Sequence, residues 1–564
     1  MDSARRLTLG QWYTPAAVAD LALSLALGGQ RSAARVLDPT CGDGAFLARA
    51  QAAGLAAERI VGVELDPDAA RAAQSSVPGT RVICGDLFAI ADDVLGGPVD
   101  AVVGNPPYVR QERLSGEQKA RIRRRLTADW PELVPGDVHR LSRRGDLAAA
   151  CILRALHFVR PGGRVALVVS SALVDAAYAA PLWRSIARVG RVLALVDAPD
   201  ERWFADAAIN ALILVIERGT GGPEPSAQDE VAVARLTVST AAAASRIRDL
   251  DDLNAVAEVR PAPHDRPGRW SAHLRAPRVW FDFERAAGSA LVPLAAVADL
   301  RRGVTSGAND VFYLSRARAA ELDLEADVLA PLLRTPRDRG QIAIDPAAST
   351  HLALVCPPHD EILAQYPNAK RYLDRHSERA DQPTLRSRKP WWALPVRPAR
   401  LFLTKAYSER FVQRLASASM VADQRVYALY PVADVPVRTL AAVLNSTFTA
   451  LALESLGRSS MGEGALEWTA ADAKGLPILD PRVLDPQRTR AVCAALDALS
   501  TRPIAAIAAE RARSDRRCLD LALAKMRPGL VEVLDALWPA LVAAVGRRTS
   551  RRHRPLRSSA DDGL

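Results

Sequence analysis

The sequence predicts an α/β domain at its N-terminal end, followed by a mixed α+β region that finishes in helices. Three observations carry that expectation. Between residues 34 and 218, short β-branched apolar runs alternate with Ala-rich, helix-like segments. The first three of these runs end in acids: Asp38, Glu64 and Asp86. Beyond about residue 290 the alternation gives way to mixed strands and loops, and residues 487–545 carry Ala and Leu at helical spacing. Continuous apolar strands separated by helices mark a parallel sheet covered on both faces.

Taken in order, "ARVLDP" reads as the first strand, then a small-residue loop and a helix from about Ala45 to Ala53. "RIVGVEL", "TRVICGDLF" and "VDAVVGNPP" are the next three strands. A helix from about Leu147 to Val159 and a Pro-Gly-Gly turn at 161–163 lead into "RVALVVSS", "RVLALVDAP" and "NALILVIER", which makes seven strands by Arg218. "GTGGPEPSAQDE" (219–230) has the composition of a linker. The expected divisions are therefore a first domain at 1–230, a bridge at 231–290, a second domain at 291–545 and a basic tail at 546–564 with six arginines. "RPAPHDRPGRW" within the bridge is too rich in proline for regular structure.

A length of 564 residues exceeds one core and calls for two or three domains. No stretch approaches the roughly 18 apolar residues of a membrane span, and "MDSARRLTLGQWYTP" lacks the apolar centre of a signal peptide. No membrane partner is expected. The six cysteines show no CxxC spacing, which suits a reducing cytoplasm and predicts neither a disulfide scaffold nor a metal site. The net charge of +10 fits a polyanionic partner, and equally an Arg-rich coding bias.

Chemistry concentrates at the strand ends. In "LDPTCGDGAF" an acid, Asp38, precedes Thr40, Cys41, Gly42 and Gly44 at the start of a helix. Such glycines let a ligand approach the backbone closely. No Gly-Lys-Ser/Thr follows, and Leu47 occupies the place of the third glycine in a dinucleotide fingerprint. Glu64 can accept ribose hydroxyls, and Asp86 beside Leu87 and Phe88 can take an adenine amino group between apolar side chains. A nucleoside site without a phosphate gripper suits S-adenosylmethionine. The fourth strand ends in Asn105-Pro106-Pro107-Tyr108. The Asn105 side-chain oxygen and the Pro106 carbonyl can both accept from one amine, localising its lone pair on nitrogen. Tyr108 offers a face for a flat substrate.

At these residues the chain resembles the gamma-class adenine-N6 DNA methyltransferases of type II restriction–modification systems. The likeness covers residues 12 to 218. It implies a class I S-adenosylmethionine-dependent fold, Rossmann-like, with a mixed seven-stranded sheet whose last strand is antiparallel. It implies that Thr14 and Pro15 of "QWYTPAAVADLAL" meet the cofactor's methionine end, that NPPY is the catalytic tetrapeptide, and that Phe204 of "RWFADAAINALILVIER" stacks on an extruded adenine. "GDLAAACILRALHFVRPGG" resembles the next motif, with Ala148 where the family often has an aromatic residue.

A base drawn out of a duplex leaves the surrounding sequence to be read by other surface. The candidate surfaces are Arg301 and Arg302, Arg386, Arg388 and Lys389 of "RSRKPWW", and Lys405 near Tyr407; Arg110 and Arg113 follow the catalytic motif. The expected partner is double-stranded DNA, with a cognate endonuclease acting separately. Rival substrates with the same tetrapeptide are RNA adenine, cytosine N4 and protein glutamine. A non-catalytic DNA-binding scaffold is the rival of another class.

Overall fold

In the computed structural model, residues 14–29, 33–109, 111–175, 179–204, 210–221, 229–264, 270–334, 340–461 and 465–550 are described. The chain forms two compact units, residues 1–275 and 276–564.

The first unit is built on one mixed sheet. Its strands are β1 (Val36–Asp38), β2 (Ile60–Glu64), β3 (Arg81–Cys84), β4 (Val99–Gly104), β5 (Val159–Ser170), β6 (Gly190–Asp197), β7 (Ala211–Arg218), β8 (Glu230–Leu236) and β9 (Ala257–Pro263). The order is β3-β2-β1-β4-β5-β7-β6-β8-β9. β1 to β5 run parallel, and β7 is antiparallel to both of its neighbours. Successive residues of one strand serve opposite faces. Leu37, Val102, Leu167 and Leu214 enter one apolar cluster, while Val36, Val103, Val168 and Val215 enter the other. Helices cover both faces, so the strands read as unbroken apolar runs rather than as alternating ones.

Seven strands were expected, and the sheet has nine. β8 pairs with β6 in parallel and β9 pairs with β8 antiparallel. The expected bridge at 231–290 therefore divides: its first part completes this sheet, and the Arg278–Ala287 helix belongs to the second unit. Pro261 and Pro263 sit in β9 because it is the outermost strand, where a missing N–H costs no ladder bond on the open side.

The second unit is mixed α+β, as expected. Its largest sheet has eight strands, including Ala298–Arg302, Val426–Pro431, Ala399–Thr404 and Arg414–Ala422 as successive neighbours. The helices Val437–Leu444, Thr447–Leu456, Pro486–Ser500, Ser514–Ala524 and Pro528–Ser550 complete it. The last of these is apolar and long enough to cross a membrane by composition. Here Leu530, Leu534, Leu537, Leu541 and Val545, at helical spacing, are buried in the unit's core. All six cysteines are free.

The added strands set the limits of the first unit. A fragment ending at Arg275 should be soluble and unfold in one cooperative transition. One ending at residue 230 should aggregate, because β6 loses its β8 partner and the core loses Ile247, Leu253 and Trp270. Expression of both fragments with thermal denaturation checks this; equal behaviour would contradict it.

Candidate functional site

Parallel strands bring their carboxyl ends to one edge of the sheet. The register places Asp38 opposite Gly62, and Glu64 opposite Cys84. The loop after β1 is fixed by the Cys41 N–H, which donates to the Val63 carbonyl at 2.8 Å, and by the Gly42 N–H, which donates to Glu64 Oε2 at 2.8 Å. The other oxygen of Glu64 accepts from the Asp66 N–H at 2.8 Å. Gly44 has a φ of +94° and abuts the Pro67–Ser76 helix, where a Cβ would come within 3.2 Å of Ala73. Gly42 has a φ of +55°, and a Cβ there would meet nothing within 4 Å. Space is open over the backbone at that point. Cys41, expected at the cofactor, instead has its thiol in the core, 5% exposed; Gly62 has no side chain and so makes room for it.

The end of β4 closes on this loop. A Cβ on Gly104 would lie 2.6 Å from Asp38 Oδ1. The next residue, Asn105, donates from Nδ2 to Thr14 Oγ1 at 3.2 Å, and its main-chain carbonyl accepts from Thr40 Oγ1 at 3.4 Å. An amide held through its nitrogen presents its oxygen on the opposite side. Among the described residues nothing donates to the Pro106 carbonyl, while the Pro107 carbonyl accepts from the Val109 N–H at 3.0 Å. The Tyr108 hydroxyl donates to the Val168 carbonyl of β5 at 3.1 Å, fixing the ring, and burial pushes its phenol up. Thr14, Asp38, Thr40, Glu64 and NPPY are thus brought together. Pro15, just before the Ala16–Leu27 helix, is exposed.

Other expected residues are placed differently. Asp86, half-buried, accepts from the Phe88 N–H at 2.9 Å and from Arg121 Nη1 at 2.6 Å, one bond to each oxygen, which leaves acceptor sites on both. Leu87 and Phe88 are 6% and 7% exposed. Phe204, expected against the target base, is 4% exposed within the apolar cluster on one face of the sheet. Stacking would require it to leave that cluster. Arg113 is exposed, and Arg110 lies outside the described residues, as does the tail beyond residue 550. In the second unit Arg301 pairs with Asp299 at 2.8 Å and Arg302 donates to Gln424 Oε1 at 2.6 Å; both are exposed. Arg386 donates to the Asp381 carbonyl, and Lys389 is exposed. Arg388 holds the carbonyls of Thr305 and Ser306, which makes it a strut of the fold. Lys405 lies 5.5 Å over the Tyr427 ring. The residue that sequence reading missed is Gly104. Its signal was a small residue directly before NPPY.

An open loop edged by acids fits a nucleoside that carries a cationic amino-acid tail. The fold is that of the S-adenosylmethionine-dependent methyltransferases, and S-adenosylmethionine is the cofactor of that class. Residues 3–255 match the N-6 DNA methylase family and residues 282–510 match the C-terminal domain of the Type II methyltransferase M.Eco57I. Each of the two matches covers less than half of the chain, one in each unit. The chain is 21% identical over 230 residues to the Type II methyltransferase M.BanIII of Aneurinibacillus aneurinilyticus, covering 36% of this chain and 37% of that one. It is 30% identical over 149 residues to M.XhoI of Xanthomonas vasicola, covering 26% of this chain and 24% of that one. The matched regions therefore span well under half of either relative. Among solved structures, the Type IIL restriction-modification enzyme MmeI in complex with DNA aligns with a TM-score of 0.56 at 14% identity, over 98% of this chain and 80% of that one. A likeness at that identity speaks for the fold alone.

Asp38 is 1% exposed. Burial pushes its carboxyl from the ordinary 3.8 up to about 8, opposed by the Thr40 N–H and reinforced by the charges of Glu64 and Asp43. Between those values the unfolded chain has released a proton that the folded chain keeps, so stability falls as pH rises. The unfolding temperature of the cofactor-free protein should fall between about pH 5 and about pH 8, and should fall less in Asp38→Asn. Parallel slopes in the two proteins would contradict this.

Proposed function

We propose that the protein transfers the methyl group of S-adenosylmethionine to N6 of an adenine extruded from duplex DNA. This would be the modification reaction of a prokaryotic restriction–modification system, carried out in the cytoplasm. The observation that carries this reading is the meeting of Gly104 and Asn105, at the head of NPPY, with the Asp38–Gly44 loop at one sheet edge.

Asp38, Glu64 and the Gly42 backbone would hold the cofactor over the open loop. When bound, it supplies an electrophilic methyl group on a sulfonium. The chain's own residues prepare the nucleophile. The exocyclic amine of adenine is a poor nucleophile because its lone pair is shared with the ring. The Asn105 Oδ1 and the Pro106 carbonyl would accept its two N–H groups and turn the lone pair out of the ring plane. Thr14 keeps the Asn105 amide oriented for that task. Tyr108, braced on β5, supplies the face on which the base rests. The proton can leave to water after transfer, and no general base is needed.

Arg301, Arg302, Arg386, Lys389 and Lys405 in the second unit, with Arg113 in the first, are proposed to meet DNA. Phosphate contacts of this kind fix position, while sequence is read at base edges.

Incubation with tritiated S-adenosylmethionine and mixed-sequence duplex DNA, followed by digestion to nucleosides, tests the reading. Label should appear in N6-methyladenine. Asn105→Ala should lower the transfer rate by about 10²–10³, as loss of one aimed hydrogen-bonding partner does at other sites. Label in N4-methylcytosine, RNA or protein glutamine would replace the substrate. Cofactor binding without any transfer would favour the scaffold.

A further inference from the structure

Arg154, in the Leu147–Phe158 helix, is completely buried. A guanidinium in that setting is expensive to desolvate unless all its donors are used. Nε donates to the Leu87 carbonyl at 3.2 Å and Nη2 to the Ile90 carbonyl at 2.9 Å. Nη1 reaches Asp129 Oδ1 and Asp92 Oδ1, each at 2.9 Å, and the group lies 4.1 Å over the Phe158 ring. Burial pulls its pKa below the ordinary value, against the pull of Asp129.

The two carbonyls belong to the turn that follows β3. The other side of that turn is held by Asp86, whose main-chain carbonyl accepts from Ala89 and Ile90 and whose side chain accepts from Phe88. Asp129 is the last residue of the Gly116–Asp129 helix, and Arg121 of the same helix holds Asp86 Oδ2. The contacts therefore close a ring: Asp86, Arg121, Asp129, Arg154, and back to the turn through Leu87 and Ile90. Asp92, Asp129 and His157 stand close enough to share a cation. Arg125 and Arg154 already neutralise the two acids, and the cluster reads as a rivet rather than a metal site.

We propose that Arg154 is a positioning residue for the cofactor's adenine: it fixes the turn at which Asp86 takes the ring's amino group, and it ties that turn to the helix following NPPY. This rests on the assignment of S-adenosylmethionine as cofactor. Lysine keeps the charge but cannot hold two carbonyls and a carboxylate in one plane.

The test is direct binding by calorimetry with two probes, S-adenosylhomocysteine and S-inosylhomocysteine. The second replaces the amino group by a carbonyl, which faces the Asp86 carboxylate without a donor. Wild type should prefer the adenosyl probe. Arg154→Lys should bind it about tenfold more weakly and lose most of that preference, while the rate at saturating cofactor stays within about threefold. Unchanged affinity, or an equal loss for both probes, would overturn the proposal. Wild type that binds neither probe would remove the cofactor assignment itself, a result distinct from either. Should Arg154→Lys fail to fold, Arg121→Gln on the partly exposed helix carries the same comparison. A retained preference there would count against the ring.

Discussion

The last residues of β1 and β4 meet at a distance that admits no side chain. A Cβ on Gly104 would sit 2.6 Å from the Asp38 carboxylate. From that approach follows the placement of everything around it. Asn105 comes next in the chain and so arrives beside Thr40 and within reach of Thr14. The Asp38–Gly44 loop is held from the other side by Glu64 and Val63. Neither half of the site is separately built: the loop that would hold a cofactor and the tetrapeptide that would hold an amine share one packing contact.

The sheet makes that contact possible. β1 to β5 are parallel and buried on both faces, so their carboxyl ends open at one edge and their register is fixed by apolar packing. A slip of one residue in β4 would exchange Val102 and Val103 between the two clusters and turn Asn105 away from Thr14. The buried charges near the Gly116–Asp129 helix serve a similar end. They confer little net stability, but they allow one arrangement of the turn after β3 and few others.

Much of this was legible in the sequence because strand-end acids and NPPY are local patterns on a regular frame. Asp38, Glu64 and Asn105 could be placed from spacing alone. What escaped was set by distant partners. The end of β9 reads as a bridge too rich in proline for regular structure, and only its position at the sheet edge makes Pro261 and Pro263 tolerable. Cys41 looks like a loop residue, yet the bare backbone of Gly62 lets it turn inward. Thr14 was tied to the cofactor by resemblance, and the structure adds that its hydroxyl oxygen accepts from the Asn105 amide. Arg388 looked free for DNA and is spent on two carbonyls of its own unit.

The most direct measurement is the behaviour of Gly104→Ala, which adds one methyl group at the shared contact, against the Asp38 carboxylate. If the two halves are one packed unit, the variant folds but loses S-adenosylhomocysteine affinity and methyl transfer together. Retention of both, or loss of one with the other intact, would contradict the account.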